Sequence, residues 1–567
     1  MASLNPWFLE DLARFKRERE GLAGLVARSE GITLQRVRFD DGHIAVDVDL
    51  DIGHRVFEAV LRYPTTFPHS PPSVRPRNSG QLWSGHQYGA GGELCLEYRP
   101  DNWLPEIMGW QMVESAYRLL QGENPLPDQH QQVASAHQIT EGQRLRSTYS
   151  RIPFTRSLMR KFAELAPGQG ARGKSLLYIP ETNLVRIISS LQVEGEAWSD
   201  PEVPSLLGPE TWEVAAYVRR LAPGELFPSV ESYEEFSPSA SKLGWEASDR
   251  TFVLLDGDQV RAYSVFDAAV YSMEPIFPPK EAARVSAAHT QLADRTVAIL
   301  GCGSVGSKIA AMLARAGVSN FVLIDDDILA ADNLVRHELD WRDVGQHKAQ
   351  ALSNRIRRIH PDVKVRTRFQ QLAGQDSPSA AENILGYIAE ADLIIDATAN
   401  PAVGNIMSEF TRTARIPLVW VEVFAGGVGG IVARHRPGVE PSIALMRRAI
   451  ESWFSQRVSA PQSQGYPYER SEDGVPLIAD DADVSSIAAS AARLAIDTLI
   501  RHSSDFPHAI YVIGLAPCDL FDQPFETHPI LLPPAPLPVA SPELTAQEMG
   551  EQLEFLGSMI EKAREQQ

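Results

Sequence analysis

The chain has 567 residues, of which 44 % are hydrophobic and 22 % charged, with a formal charge of −20. Such a chain forms several packed domains and is not mostly disordered, and its acidity disfavours broad contact with nucleic acid or an anionic membrane. Its only cysteines are Cys95, Cys302 and Cys518, too few for a disulfide framework or a multi-cysteine zinc site, so a reducing, cytoplasmic setting is expected.

In chain order, the start MASLNPWFLEDLARFK carries early acids and no apolar core, unlike a signal peptide. Phe8, Leu9, Leu12, Phe15 and Leu22 recur with helical rhythm over about Pro6–Ala27. His43–Ile52 and Arg55–Tyr63 alternate apolar and polar residues, which predicts half-buried antiparallel strands. The next stretch, YPTTFPHSPPSVRP, holds too much proline for a helix or a central strand. An irregular run, Asn78–Pro105, leads into a predicted helix at Trp110–Leu120, and Asp128–Gln143 reads as helix or linker. In the middle of the chain, Ser175–Ile179, Val185–Ile188 and Thr251–Leu255 read as strands between proline-rich loops, without a catalytic constellation.

From about Ala287 the pattern changes. Strand Thr296–Leu300 precedes helix Ser307–Ala316, which Gly317 closes; Asn320–Ile324, Asp392–Ile395 and Leu418–Val423 are further strands. Strands alternating with helices predict a parallel, doubly wound sheet. The longest apolar stretch, Ile416–Ala433, is interrupted by Glu422 and glycines, so no membrane span is expected. Near the C-terminus, Ser541-Pro542 suits a helix start, and Met549, Leu553, Leu556 and Ile560 make one helical stripe.

Between the strand Thr296–Leu300 and its helix lies Gly301-Cys302-Gly303-Ser304-Val305-Gly306, a G-x-G-x-x-G turn. Glycines let the backbone turn tightly and approach a phosphate, which backbone N–H groups and the helix dipole then hold. Cys302 reads as a small residue facing the sheet. Asp325 ends the following strand, where a carboxylate can take ribose hydroxyls. This turn alone does not separate NAD(H) from ATP. The following DDDILAADNLVRHELDWRDVGQHKAQAL adds Asp327, Asn333, Arg336 and Lys348. Hydride transfer builds no phosphate charge, whereas attack of a carboxylate on an α-phosphate does, and Arg and Lys can stabilise it.

The order G-x-G-x-x-G, D-x-D, N-L-x-R and a downstream lysine resembles the ThiF/MoeB/ubiquitin-activating superfamily over roughly 287–530. The resemblance implies a Rossmann-like domain that adenylates the C-terminal carboxylate of a ubiquitin-like protein with Mg-ATP, usually as a homodimer. It assigns Gly301, Gly303, Gly306 and Asp327 to the nucleotide site, Asp325 to the ribose, and Asn333, Arg336 and Lys348 to the phosphates. Arg284 is the nearest match to an arginine that relatives supply before the first strand. One departure stands out. The family's D-x-T-D-N is here Asp396-Ala397-Thr398-Ala399-Asn400, which leaves Asp396 as the magnesium ligand or impairs turnover.

Near the N-terminus, Tyr63-Pro64, Pro71-Pro72, His86, Cys95-Leu96, Trp103 and Pro105 follow in the order of ubiquitin-conjugating domains. That resemblance covers roughly 1–125 and implies Cys95 as an acyl-carrying thiol, with His86 either supporting it or structural. The family's asparagine of H-P-N is absent, and Tyr88 or backbone N–H groups are its expected substitutes. The whole chain is therefore expected to be an α/β and α+β multidomain protein. Its parts are a conjugating-like α+β domain (1–145), a linker domain (146–286), a ThiF-type adenylation domain (287–532) and a proline-rich tail with a helix (533–567). Fused activating and conjugating domains resemble proteins of bacterial anti-phage operons, including the CBASS type. These imply as partners a ubiquitin-like protein or the C-terminal tail of a cGAS-like nucleotidyltransferase, and a target lysine, with no nucleic acid or membrane. The rival readings are a degenerate nucleotide-binding adaptor and an NAD-dependent oxidoreductase. The loop before the helix containing Ala482-Asp483-Val484 lacks the family's cysteine. The acyl group is then expected to pass directly to Cys95, or by way of Ser471 or Cys518; otherwise Ser471 is a plain loop serine and Cys518 a core thiol.

Overall fold

The computed structural model describes residues 6–40, 42–78, 80–124, 126, 145, 148–179, 183–204, 211–230, 232–278, 286–374, 377–457, 479–501, 503–532 and 545–565. Arg284, Ser471, Asp128–Gln143 and Ser541-Pro542 lie outside the described residues. The chain divides into two compact units, Met1–Ser147 and Thr148–Gln567.

In the first unit the expected N-terminal helix is two helices, α1 (Trp7–Glu10) and α2 (Leu12–Arg28). The chain breaks at Asp11, whose carboxylate caps α2 by accepting from the Arg14 N–H at 2.7 Å. An antiparallel sheet follows in the order β1 (Ile32–Asp40), β2 (His43–Asp51), β3 (Val56–Arg62), β4 (Ser73–Pro76). The sequence reading missed β1 because its outer positions are charged. They pair across the sheet: Arg36 and Arg38 donate to Asp47 at 2.6 and 3.1 Å. β4 comes from the proline-rich stretch and sits at the sheet edge, where a missing N–H is tolerated. Helix α3 (Gly109–Glu123) closes the unit over a core of Trp7, Tyr63, Phe67, Leu94 and Leu120.

A buried ion pair fastens these parts. Glu18, 2 % exposed, accepts from Arg14 Nε at 3.0 Å, Tyr63 Oη at 2.9 Å and Gly109 N at 2.7 Å. Arg14 donates in turn to the carbonyls of Pro105 and Ile107. Burial still holds the Glu18 carboxyl above its ordinary range, against these hydrogen bonds.

The second unit begins with a closed barrel. Its strands are β5 (Ser150–Pro153), β6 (Gly170–Tyr178), β7 (Leu184–Val193), β8 (Glu196–Ser199), β9 (Thr211–Arg220), β10 (Thr251–Asp256), β11 (Gln259–Phe266) and β12 (Ala269–Ile276). The order is β5-β12-β11-β10-β9-β6-β7-β8, and β5 also pairs with β7, which closes the sheet. Ile152, Ile188, Val253 and Ala262 pack in one cluster with Leu158 and Phe162 of helix α4 (Arg156–Glu164). The alternate residues Tyr217, Phe252, Leu254 and Tyr263 pack with Phe236 of α5 (Tyr233–Lys242).

The third sheet carries the glycine turn. Strands β13 (Thr296–Leu300), β14 (Asn320–Ile324), β15 (Lys364–Arg368), β16 (Leu393–Asp396) and β17 (Leu418–Phe424) are mutually parallel, in the order β15-β14-β13-β16-β17. The expectation of a wholly parallel sheet is corrected beyond this point. β18 (Gly429–His435), β19 (Ile510–Gly514) and β20 (Thr527–Pro529) extend the sheet antiparallel. The reason is local: β17 reaches β18 through a tight turn with Gly426 and Gly427 at φ 67° and 98°, so no crossover helix intervenes.

Helices cover both faces. On one, α6 (Ser304–Ala316), α7 (Lys348–Ile359) and α11 (Asp481–Ile500) bury residues such as Ile309, Leu352 and Ile487. On the other, α8 (Pro378–Ile388), α9 (Pro401–Ala414) and α10 (Ile443–Ser455) bury Ile384, Met407 and Met446. Helix α6 starts three residues before its expected beginning, with Gly303 as N-cap, and ends at Gly317 at φ 113° as expected. The terminal helix α12 (Ala546–Glu565) leaves Met549, Leu553, Leu556 and Ile560 exposed. Among the described residues no helix is long and apolar enough to cross a membrane.

Replacing Glu18 by alanine leaves Arg14 buried without its counter-ion, a change that costs about 3–5 kcal/mol. Glu18→Ala should lower the urea midpoint of the first unit, followed by tryptophan fluorescence in the full chain, with an unchanged midpoint counting against the role given to this pair.

Candidate nucleotide and thiol sites

The turn after β13 needs its glycines for different reasons. Gly301 has φ +83°, a conformation that a side chain resists. A Cβ on Gly306 would lie 1.9 Å from the Gly301 carbonyl oxygen, so only glycine lets α6 come this close to the strand. A Cβ on Gly303 would meet nothing within 4 Å, and that open space belongs to a cavity. The cavity, of about 240 Å³, lies at the carboxyl ends of the parallel strands, lined among others by Gly301, Gly303, Asp325, Asp327, Thr398 and Asn400. That edge, with a helix N-terminus beside it, is where doubly wound folds bind nucleotides.

Asp325 ties the turn to β14. Its carboxylate accepts from Cys302 N at 2.6 Å and from Asp327 N at 3.0 Å. Burial pushes its carboxyl up, while those N–H groups pull the other way. Cys302 is fully buried against the sheet, as expected, and burial raises its thiol far above its ordinary range. Asp327 meets Lys348 Nζ at 2.5 Å, and its backbone carbonyl accepts from Lys348 N at 3.0 Å. Burial works to raise Asp327, but the Lys348 pair wins and holds it low.

Not every expected residue reaches the cavity. Asn333 caps a short turn by accepting from Ala330 N at 3.1 Å. Arg336 points its Nη1 at the Ala479 carbonyl, 3.4 Å away, just before α11. Asp396 is 4 % exposed at the end of β16, where Thr398 donates to it through N–H at 3.1 Å and hydroxyl at 2.6 Å. Burial holds its carboxyl high, partly offset by Arg447 of α10. Ala399 is exposed and carries φ +50°, a left-handed conformation that costs alanine about 1–2 kcal/mol and that Asp tolerates better. A magnesium ion fits here on restricted terms: the second oxygen of Asp396 accepts no hydrogen bond among the described residues, and the ion can keep waters and phosphate oxygens.

The sequence reading missed His337, which is 7 % exposed. Its Nε2 bonds the Cys302 carbonyl at 2.9 Å and its Nδ1 accepts from Leu339 N at 3.2 Å. The ring is therefore neutral, and it braces the glycine turn from behind. Gln370 and Gln371 also line the cavity without any motif to announce them.

In the first unit, Cys95 sits on a short hairpin. Gln87 and Leu94 form an antiparallel bridge, Cys95 N donates to His86 O at 2.7 Å, and Tyr88 N donates to Glu93 O at 2.9 Å. The two-residue period then puts His86, Tyr88, Glu93 and Cys95 on one face, with Leu94 buried on the other. Leu94 N bonds Val74 O of β4 at 2.8 Å, which anchors the hairpin to the sheet. Tyr88 is exposed, and a hydrogen bond with the Cys95 thiol raises its hydroxyl pKa, against a contribution from Arg99. Trp103 donates from Nε1 to Pro68 O at 2.7 Å and packs in the core. Cys518 is exposed, which corrects its reading as a core thiol. It turns the chain by exchanging backbone bonds with Phe521, and Phe521 is the residue buried there.

The fold is a doubly wound α/β domain with a cavity on its glycine turn, and residues 282–506 match the model of the ThiF family. Among curated proteins, the chain is similar to the ATP-dependent ubiquitin transferase-like protein Cap2 of Enterobacter hormaechei subsp. hoffmannii, 36 % identical over 123 residues, or 22 % of this chain and 20 % of that protein. The Escherichia coli sulfur carrier protein ThiS adenylyltransferase is 32 % identical over 25 % of this chain and 53 % of its own length. The E. coli molybdopterin-synthase adenylyltransferase is 36 % identical over 23 % and 49 % respectively. The matched segments thus span from one fifth to about half of these relatives. Among solved structures, E. coli MccB with ATP aligns with 18 % identity and a TM-score of 0.35, covering 45 % of this chain and 68 % of that one.

His337 sets a pH window. Its pKa falls from an ordinary 6.5 to about 4, first because of burial and despite its bond to Cys302. Below pH 6.5 the unfolded chain takes the proton and the folded one does not, so stability declines as pH falls from about 6.5 towards 4, by at most about 3 kcal/mol. His337→Gln should flatten the unfolding midpoint across that window; an equal slope in the variant would refute the assignment.

Proposed function

We propose that the chain adenylates the C-terminus of a ubiquitin-like or other small protein and conjugates it through Cys95. The observation that carries this reading is the cavity on the glycine turn, lined by Asp325 and by Asp327, which pairs with Lys348, within the segment matching the ThiF family. The partner's carboxylate attacks the α-phosphorus of ATP, pyrophosphate leaves, and an acyl-adenylate remains. Lys348 balances charge on the phosphates, and Arg336 turns from the Ala479 carbonyl to do the same. Asp396 would hold a magnesium ion, which shields phosphate charge when bound. The Cys95 thiolate then attacks the acyl carbon, AMP leaves, and a thioester forms for delivery to a target lysine amine. The hairpin supports this step, since it presents the thiol on a half-exposed loop beside Tyr88. On this reading Tyr88 stands in for the absent asparagine. The similarity to a ubiquitin transferase-like Cap2 protein supports a ubiquitin-like partner; the proposal further takes in the tail of a cGAS-like nucleotidyltransferase as an alternative partner, a role in anti-phage defence, a cytoplasmic location and action as a homodimer.

A second reading, a nucleotide-binding adaptor without turnover, is favoured by Ala399 and by the burial of Asp396. One measurement separates the two. With ATP, magnesium and the partner tail, the chain should release AMP and pyrophosphate. Arg336→Ala or Lys348→Ala should lose about tenfold or more of the rate, and Ala399→Asp should raise it by supplying a second carboxylate. No release from any of these proteins favours the adaptor, and ADP as product would overturn the adenylation reading.

Cys95 should carry the partner as an adduct that thiols remove. Cys95→Ala should abolish it and leave pyrophosphate release on adenylate formation intact, while Tyr88→Phe should slow its transfer to amines several-fold. In the Cys95→Ala background, a thiol-stable, base-labile adduct lost on Ser471→Ala would mark an oxyester relay. A thiol-labile one lost on Cys518→Ala would mark a Cys518 relay. Either result would displace the direct route.

A further inference from the structure

The barrel holds a buried charge without a counter-ion. Arg186 on β7 is 0 % exposed. Its Nε donates to Ser264 Oγ at 3.1 Å and its Nη1 to Thr251 Oγ1 at 2.9 Å, and the guanidinium lies 4.9 Å from the Phe266 ring centre. Its Nη2 is buried and makes no hydrogen bond. No carboxylate among the described residues lies within ion-pairing distance of it. Burial, with a smaller contribution from the charge of Arg250, brings the Arg186 pKa down to about 10, which leaves it protonated at neutral pH. An isolated buried cation is costly, and an apolar residue of similar size would usually be at least as stable there.

Two residues that touch this guanidinium, Ser264 and Phe266, also line an open cavity of about 800 Å³. The cavity lies where β5 and β7 begin, beside β12, at one mouth of the barrel. Leu184, Val230, Val270 and Met273 give it apolar walls, and Ser150, whose buried hydroxyl has no partner, adds a polar group. Barrel mouths with apolar walls and a few converging polar groups are common sites for small molecules.

We propose that this barrel mouth binds a monocarboxylate with an apolar body, whose carboxylate reaches the free Nη2 of Arg186 past Ser264 and Phe266. A single planar guanidinium flanked by hydroxyls matches one carboxylate in geometry and charge. The apolar walls hold the body, and Glu274 at the rim disfavours a doubly charged ligand. The site stands apart from the glycine turn, so it is tested without ATP.

The test titrates the full chain by calorimetry with octanoate, octanol and octyl phosphate, and with an N-acetylated trileucine as free acid and as amide. Octanoate or the free acid should bind, and octanol, octyl phosphate and the amide should bind about tenfold or more weakly. Whichever of octanoate and the peptide acid binds more tightly names the source. Arg186→Met should abolish carboxylate binding. If that variant fails to fold, Tyr271→Glu decides, since Tyr271 is exposed at the mouth. A charge there should weaken octanoate several-fold and leave octanol unchanged. Equal binding of octanoate and octanol, binding retained in folded Arg186→Met, or a Tyr271→Glu variant that binds as the parent would each overturn the proposal.

Discussion

One half-buried carboxylate, Asp325, organises the glycine-turn domain. Asp325 accepts two backbone N–H groups, one from the glycine turn and one from its own loop, and a buried carboxylate left without such donors would be expensive. That requirement fixes the turn against the end of β14. The rest of the rim follows from it. The Cys302 carbonyl is aimed at His337, and the backbone of Asp327 is set where Lys348 both donates its N–H and brings its ammonium to the side chain. The cavity edge is therefore one connected set of hydrogen bonds, set by the fold itself.

The three sheets manage their edges in three ways. The first is a small meander with helices α2 and α3 packed on it, and its edge strand β1 is covered with charges that pair across to β2. The second removes most of its edge by closing through β5. The third is covered by helices on both faces and changes from parallel to antiparallel at Gly426-Gly427. Each solution leaves a different kind of place for chemistry: a hairpin thiol beside a meander, a mouth in a barrel, and a crevice at the strand ends of a doubly wound sheet.

What the sequence reveals depends on how local the signal is. Thr296–Leu300 and Asn320–Ile324 are continuous apolar runs because both of their faces are buried, and their limits coincide with the observed strands. The turn Gly301–Gly306 and the helix end at Gly317 are legible because only glycine meets the steric demand there. β1 and β8 are not legible in the sequence. Their apolar positions are sparse, and pairing across the sheet, which no single segment encodes, makes them strands. The same applies to single residues. Lys348 and Asp325 stand in a recognisable pattern, whereas His337 and Arg186 are ordinary letters in RHELD and VRIIS until the fold buries them. Arg336 and Asn333 were legible as to type, but their side chains hold backbone groups rather than line the cavity.

The seam of the barrel also bears on how the chain is made. β5 pairs with β12 through Arg151 and Glu274, so its partner is synthesised roughly 120 residues later. At about 5–20 residues per second, some 6–25 s pass at the ribosome before that pairing becomes possible. Strand β5 can pair earlier with β7, and β6 and β7, adjacent in sequence, can form a hairpin, but the side of β5 that faces β12 stays open until then. In the doubly wound sheet β13 meets β14 soon after, whereas its other neighbour, β16, follows about 95 residues later. The open seam of the barrel is thus a place where the pace of translation matters and where a chaperone would have time to act.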